Sequence, residues 1–235
     1  MISCDNQWFR LLGMQGKLFI VATPIGNLED ITIRALRVLK EADMVACEDT
    51  RVTRKLLNHY NIETKAIVYH QHTKDDKIEK IIDEILAGKN VAVVTDAGTP
   101  GVSDPGNILV AEAVANNIVV LPIPGASALA SVISIAGIDM QQFTFLGFPP
   151  HKKGRETYFK KVAASVIPVI YYESPHRVIK NLTMLLEFAP EKKIILGREL
   201  TKMFEEVVRG NVSEVLEYFT KNPSKIKGEF VIVVH

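Results

Sequence analysis

Short apolar runs alternate with amphipathic stretches through the first half of the chain. Residues 17–22, 44–47, 66–69, 91–95 and 118–121 read as strands, and 31–42, 52–59, 76–87 and 105–116 as helices between them. The run Val91-Ala92-Val93-Val94 has no polar member, the mark of a strand covered on both faces. In the 76–87 segment Ile78, Ile81, Ile82, Ile85 and Leu86 form one helical stripe, and Gly88 is placed to end it. Alternation of this kind predicts βαβ units with right-handed crossovers, hence a mainly parallel sheet. After residue 122 the pattern loosens. Strands are expected at 143–147, 168–172, 193–196, 204–209 and 229–234. Helices are expected at 155–165, after Ser174-Pro175 and after Ser213. Strands so close in sequence suggest a mixed sheet. The fold class is therefore α/β with two domains, 16–122 and 123–235, after an N-terminal extension 1–15.

Three loops leave the carboxyl ends of strands in the first domain, where open α/β sheets bind ligands. The first is Thr23-Pro24-Ile25-Gly26-Asn27-Leu28-Glu29-Asp30, which runs into a helix carrying Ile33, Leu36, Leu39 and Ala42. The second, Thr95-Asp96-Ala97-Gly98-Thr99-Pro100-Gly101-Val102-Ser103-Asp104-Pro105-Gly106, sets bare glycine backbone beside the Asp96 carboxylate. Asp104 and Pro105 suit the N-cap and first position of the next helix. The third is Pro122-Ile123-Pro124-Gly125-Ala126-Ser127, where Ser127 suits either an N-cap or a ligand contact. Any one of these loops reads equally well as a plain connection. Three on one parallel sheet can converge on a single crevice. The first loop is no Gly-x-Gly-x-x-Gly fingerprint and the chain has no Walker sequence, so dinucleotide binding and nucleotide hydrolysis lose support.

With 235 residues, 47% of them apolar, the chain can build one large or two modest cores. No apolar run approaches the roughly 18–20 residues of a membrane span. Gly13, Gln15, Gly16 and Lys17 break any apolar stretch at the start, which argues against a secretory signal. Cys4 and Cys47, far apart, suggest a reduced cytosol rather than a disulfide framework. Residues 1–15 lack periodicity and read as an extension, or as a packed turn anchored by Trp8 and Phe9. The net charge of +1 gives no global pull on a polyanion. Local clusters exist instead: His151-Lys152-Lys153-Gly154-Arg155 with Lys160 and Lys161, then Arg51, Arg54 and Lys55, then Lys225 and Lys227. Each can pair with phosphates or serve as an ordinary solvated face.

The three loops, in this order and spacing, resemble the tetrapyrrole-methylase superfamily of S-adenosyl-L-methionine (SAM) methyltransferases. Val21-Ala22-Thr23-Pro24-Ile25-Gly26-Asn27-Leu28-Glu29-Asp30, Cys47-Glu48-Asp49-Thr50-Arg51 and Thr95-Asp96-Ala97-Gly98-Thr99-Pro100 narrow the likeness. So do Phe145-Leu146-Gly147-Phe148-Pro149-Pro150, Tyr172-Glu173-Ser174-Pro175-His176-Arg177 and Gly197-Arg198-Glu199-Leu200-Thr201-Lys202. They are similar to the branch that methylates a cytidine ribose 2′-oxygen in 16S rRNA of the small ribosomal subunit. The resemblance spans about residues 16–235. It implies SAM in a cleft between the two domains, lined by Pro24, Asp96, Ala97, Gly98, Val102 and Ser127 from the first and by Phe148 and Tyr172 from the second. It further implies a cytoplasmic homodimer, with no membrane or DNA partner. Lys152, Lys153 and Arg155 are the expected RNA contacts.

A ribose hydroxyl is a poor nucleophile, so transfer to it gains from a general base or from a cation near the developing alkoxide. Glu48, Asp49, Arg51, Glu173 and Lys202 are the candidates. Competing readings make Asp49 or Glu173 a helix cap and Arg51 a carboxylate partner. His70 and His72, with Asp75 and Asp76, lack a third ligand at diagnostic spacing, so no metal is expected. The family usually reads His-Glu-His-Asn-Glu at this point, whereas this chain has His70-Gln71-His72-Thr73-Lys74. Relatives also usually carry a further C-terminal helical region beyond the last strand. The alternatives to an rRNA acceptor are a tetrapyrrole ring, the diphthamide precursor, or a non-catalytic module that binds SAM or RNA.

Overall fold

A computed structural model describes residues 15–69, 75–104 and 106–235. The readings of the first 14 residues, of 70–74 (His70 and His72 included), of Pro105 and of the Asp75 and Asp76 side chains lie outside the described part. The chain divides into two compact units, one ending at Ser127 and the other running from Ala128 to His235.

In the first unit the strands are β1 (Lys17–Val21), β2 (Met44–Cys47), β3 (Ala66–Val68), β4 (Val91–Val94) and β5 (Val119–Ile123). They lie in the order β3-β2-β4-β1-β5, and every pairing is parallel. The helices are α1 (Ile33–Glu41), α2 (Thr50–His59), α3 (Asp75–Leu86) and α4 (Gly106–Ala115). Successive strand residues point to opposite faces, and both faces are apolar. Leu18, Ala46, Val91 and Val93 pack with Ile78, Ile81, Ile82 and Ile85 of α3 and with Leu109 and Ala113 of α4. Val21, Val45, Cys47, Ala92 and Val94 pack with Ala35, Val38 and Leu39 of α1 and Leu57 of α2. This two-sided cover is why β4 carries no polar residue. Strand β5 runs through Pro122 to Ile123, two residues past its expected end, because it is an edge strand and one missing amide donor is tolerated there.

The second unit contains α5 (Ala128–Ser134), β6 (Thr144–Phe145), α6 (Arg155–Ala163), β7 (Val169–Glu173), α7 (Val178–Phe188), β8 (Lys193–Arg198), β9 (Glu206–Asn211), α8 (Val212–Lys221) and β10 (Phe230–Val234). Its sheet runs β6-β7-β10-β8-β9, with β6 and β7 parallel and the other pairs antiparallel. Phe159, Val162, Leu182, Leu185, Val215 and Phe219 from three helices close one face over Tyr171, Leu196 and Ile232. Several boundaries shift from the sequence reading, β9 by two residues to 206–211 among them, and two helix starts have a plain cause. Helix α7 begins at Val178, because the amides of Arg177 and Val178 both donate to the Ser174 carbonyl and make residues 175–177 a turn. Helix α8 begins at Val212, where the Asn211 amide donates to the Glu214 carboxylate at 2.8 Å.

Candidate functional site

The three loops of the first unit are fastened to one another. Thr23 and Gly98 exchange backbone hydrogen bonds, Thr23 N–H to Gly98 O at 2.9 Å and Gly98 N–H to Thr23 O at 3.1 Å. The Thr23 hydroxyl donates to Thr95 O at 3.1 Å. The Thr99 hydroxyl donates to Ala126 O at 3.1 Å, tying the second loop to the third. Each loop leaves the carboxyl end of β1, β4 or β5, three neighbouring strands, so parallel register delivers them side by side. Gly98 has φ +86°, and a Cβ there would lie 3.3 Å from Ile25 Cγ2, so the close approach of the first two loops needs glycine. This engagement also corrects the expectation that the Gly98 amide is open to a ligand, since it is spent on Thr23. Asp96 and Ala97, the two residues before it, are exposed.

At the end of β2, next to β4 in the sheet, stand the acidic candidates. The Thr95 hydroxyl donates to Glu48 Oε1 at 2.5 Å, and the Asp49 amide donates to Asp96 Oδ1 at 3.2 Å. Asp49 caps α2 through the Arg51 amide at 2.8 Å and pairs with the Arg51 guanidinium at 2.7 Å. The Arg51 hydrogen bonds lower the Asp49 pKa to about 2, which makes it a weak proton acceptor. Asp96 moves the other way: partial desolvation of its carboxylate raises its pKa and the Asp49 charge adds to the rise, against a partial offset from the Asp49 amide and Arg51. Val102 is half-buried in a turn closed by its own amide on Thr99 O at 3.3 Å. Pro24 is buried and Ser127 half-buried.

In the second unit Tyr172 packs edge-to-face on Phe145 and Phe148, with centroids 5.0 and 5.4 Å apart. Phe148 keeps half its surface in solvent (51%), so the ring pair is open on one side. Glu173 fits the expected role of base poorly. Its side chain has no exposed surface, and its carboxylate accepts from the Ser174 amide at 2.7 Å and from Asn181 Nδ2, with Arg177 Nε 3.4 Å away. A carboxylate so enclosed holds the 174–177 turn and cannot meet a ribose. Arg155 is likewise corrected as a phosphate contact. It is 8% exposed and its Nε donates to Pro150 O at 2.9 Å, which anchors the start of α6. Lys152 and Lys153 remain exposed. Lys202 bridges Glu199 at 2.8 Å and Glu229 at 3.2 Å. Burial works to lower its pKa, but the Glu199 hydrogen bond and the Glu229 charge outweigh it and hold the ammonium above its ordinary value. It is thus a fixed, compensated cation.

Sequence reasoning missed Thr23, Thr95 and Thr99 as fasteners and Asn181 as the partner of Glu173. Threonine beside a Gly/Pro loop was the only signal for the first three. Among the described residues no group of three metal-ligating side chains gathers.

A parallel sheet with three loops stitched at its strand ends, and a second unit built on a mixed sheet, make this a two-unit α/β protein, and comparison with known proteins identifies its family. The profile of the tetrapyrrole (corrin/porphyrin) methylases matches residues 17–216, and the chain belongs to that family. It is 44% identical over 221 residues to the ribosomal RNA small subunit methyltransferase I of Halalkalibacterium halodurans, covering 94% of this chain and 76% of that one. The protein of the same name from Hydrogenobaculum sp. is 44% identical over 220 residues, covering 93% and 95%. Among solved structures, uroporphyrin-III C-methyltransferase from Thermus thermophilus, complexed with S-adenosylhomocysteine, superposes with TM-score 0.62 at 18% identity, over 93% of this chain and 97% of that one.

Proposed function

We propose that this protein is a SAM-dependent methyltransferase that modifies the ribose 2′-hydroxyl of a cytidine in 16S rRNA. The observation that carries the reading is the 44% identity to rRNA small subunit methyltransferases I over nearly the whole chain, together with the three loops fastened at the strand ends of the first unit. A tetrapyrrole acceptor is disfavoured, since the uroporphyrin methylase above shares only 18% identity. The 44% identity to the rRNA methyltransferases likewise disfavours the diphthamide precursor and a non-catalytic binding module.

SAM, when bound, supplies an activated methyl group on a sulfonium centre. The residues present suit that group: Asp96 offers an exposed carboxylate to a cation, and exposed Ala97 beside it lets a ligand approach the chain. We assign Pro24, Asp96, Ala97, Val102 and Ser127 to its binding, with Gly98 as the residue that sets the loop. Phe148 and Tyr172 present an open aromatic face within the second unit. Glu48 is the preferred proton acceptor for the 2′-hydroxyl. Asp49 is held acidic by Arg51 and Glu173 is sealed, whereas Glu48 stands at a strand end with its carboxylate oriented by Thr95. Lys152 and Lys153 are the RNA contacts. A homodimer acting in the cytoplasm completes the proposal.

Labelled SAM incubated with small ribosomal subunits tests it. The expected product is a nuclease-resistant dinucleotide methylated on a cytidine ribose. Binding of SAM and RNA without transfer, or transfer to a tetrapyrrole instead, refutes it.

A further inference from the structure

The segment after β8 is a tightly braced loop that displays two large apolar side chains. Met203 is 90% exposed and Phe204 66% exposed. Beneath them the backbone is held on every side. The Glu205 carboxylate accepts the Thr201 amide at 2.6 Å, and buried Arg198 donates to Phe204 O at 3.0 Å. Lys202 joins Glu199 and Glu229, and Glu199 and Thr201 take φ values of 50° and 68°, unusual for residues with a Cβ. Strained backbone that neighbouring bonds enforce tends to mark a working surface. The apolar tip is small. An aromatic side chain buries roughly 150–250 Å², so a Phe and a Met stay far below the about 800 Å² per partner of a stable protein interface. The cations Lys202 and Arg198 are outnumbered by the carboxylates of Glu199, Glu205, Glu206 and Glu229, so the tip has no pull on a phosphate backbone. A flat, uncharged π-face of nucleobase size fits this platform, and aromatic stacking is how single-stranded RNA bases are usually gripped.

We propose that the Met203–Phe204 tip is a stacking contact for an unpaired nucleobase of the RNA substrate. The proposal deepens the function argued above and rests on it for the identity of the RNA. Two measurements test it. In steady-state methylation of small subunits, Phe204→Ala raises KM for the subunit about tenfold or more, and Phe204→Trp restores it to within about twofold. SAM affinity, molecular mass by light scattering and the salt dependence of RNA binding stay unchanged, because no phosphate contact is lost. In a Trp8→Phe background, the indole introduced at position 204 is quenched by a single-stranded oligoribonucleotide and not by the same sequence as a duplex. An unchanged KM with no quenching overturns the proposal, as does a halved molecular mass in Phe204→Ala, which would make the tip a contact between copies. If the parent protein transfers no methyl group to RNA, the functional reading fails by itself. Quenching by single strands then still supports the tip, and its absence still overturns it.

Discussion

Gly98→Ala separates the mechanical part of the loop assembly from its ligand-binding part. At φ +86° an alanine enters the left-handed basin at a cost of about 1–2 kcal/mol. Its methyl would also sit 3.3 Å from Ile25 Cγ2, which forces the first two loops a few tenths of an ångström apart. Gly137 provides the control: φ is +69°, and nothing lies within 4 Å of a Cβ placed there. Gly137→Ala should therefore cost about 1 kcal/mol and Gly98→Ala about 2 kcal/mol. With a urea slope near 2 kcal/mol/M, the midpoints drop by about 0.5 and 1 M. Calorimetric titration with SAM should show affinity intact for Gly137→Ala and about tenfold weaker for Gly98→Ala, equivalent to about 1.4 kcal/mol. Equal midpoints for the two variants, with unchanged SAM affinity in both, would refute the idea that the Thr23–Gly98 bridge sets the loop.

Asn181→Leu keeps the side-chain volume but removes the donor to the sealed Glu173 carboxylate, so it should cost about 1.5–3 kcal/mol in urea unfolding. A loss under about 0.5 kcal/mol would mean the hydrogen bond carries little. For Asp96 the sign runs toward destabilisation. Folding raises its pKa above the unfolded value of 3.8, so its ionised form weakens the fold at every pH above both values and the effect vanishes at low pH. Asp96→Asn should therefore be more stable than the parent at pH 7, lose that advantage near pH 3, and bind SAM more weakly; a less stable variant at pH 7 contradicts the assignment. Lys152→Ala with Lys153→Ala should weaken RNA binding and reduce the log–log salt slope by about 1.5–2, leaving SAM affinity untouched. An unchanged slope, read by filter binding across a salt series, removes these lysines from the interface.

Elements set by periodicity were legible in the sequence. The isoleucine stripe of α3 and the unbroken apolar β4 follow directly from what each must cover. The three loops were legible as a group because glycine and proline punctuate them after apolar runs. Side-chain burial was not. Glu173 follows an apolar strand and reads as an acid at a strand end, but its enclosure depends on Asn181, eight residues on, and on Arg177. Arg155 shares a basic run with two exposed lysines, but turns inward because the Pro150 carbonyl needs a donor. The Thr99–Ala126 bond spans 27 positions between loops, beyond the reach of any local pattern.

Pro122 has a consequence beyond the tolerance of a missing amide. It lies on the outermost strand of the parallel sheet, with Pro124 two residues on, while the opposite border is β3, only three residues long. Neither border offers a long row of donors and acceptors to an incoming extended segment. Growth of this sheet by accretion of foreign strands is thereby discouraged at both margins, a built-in safeguard against fibrous association while the chain is crowded or newly made.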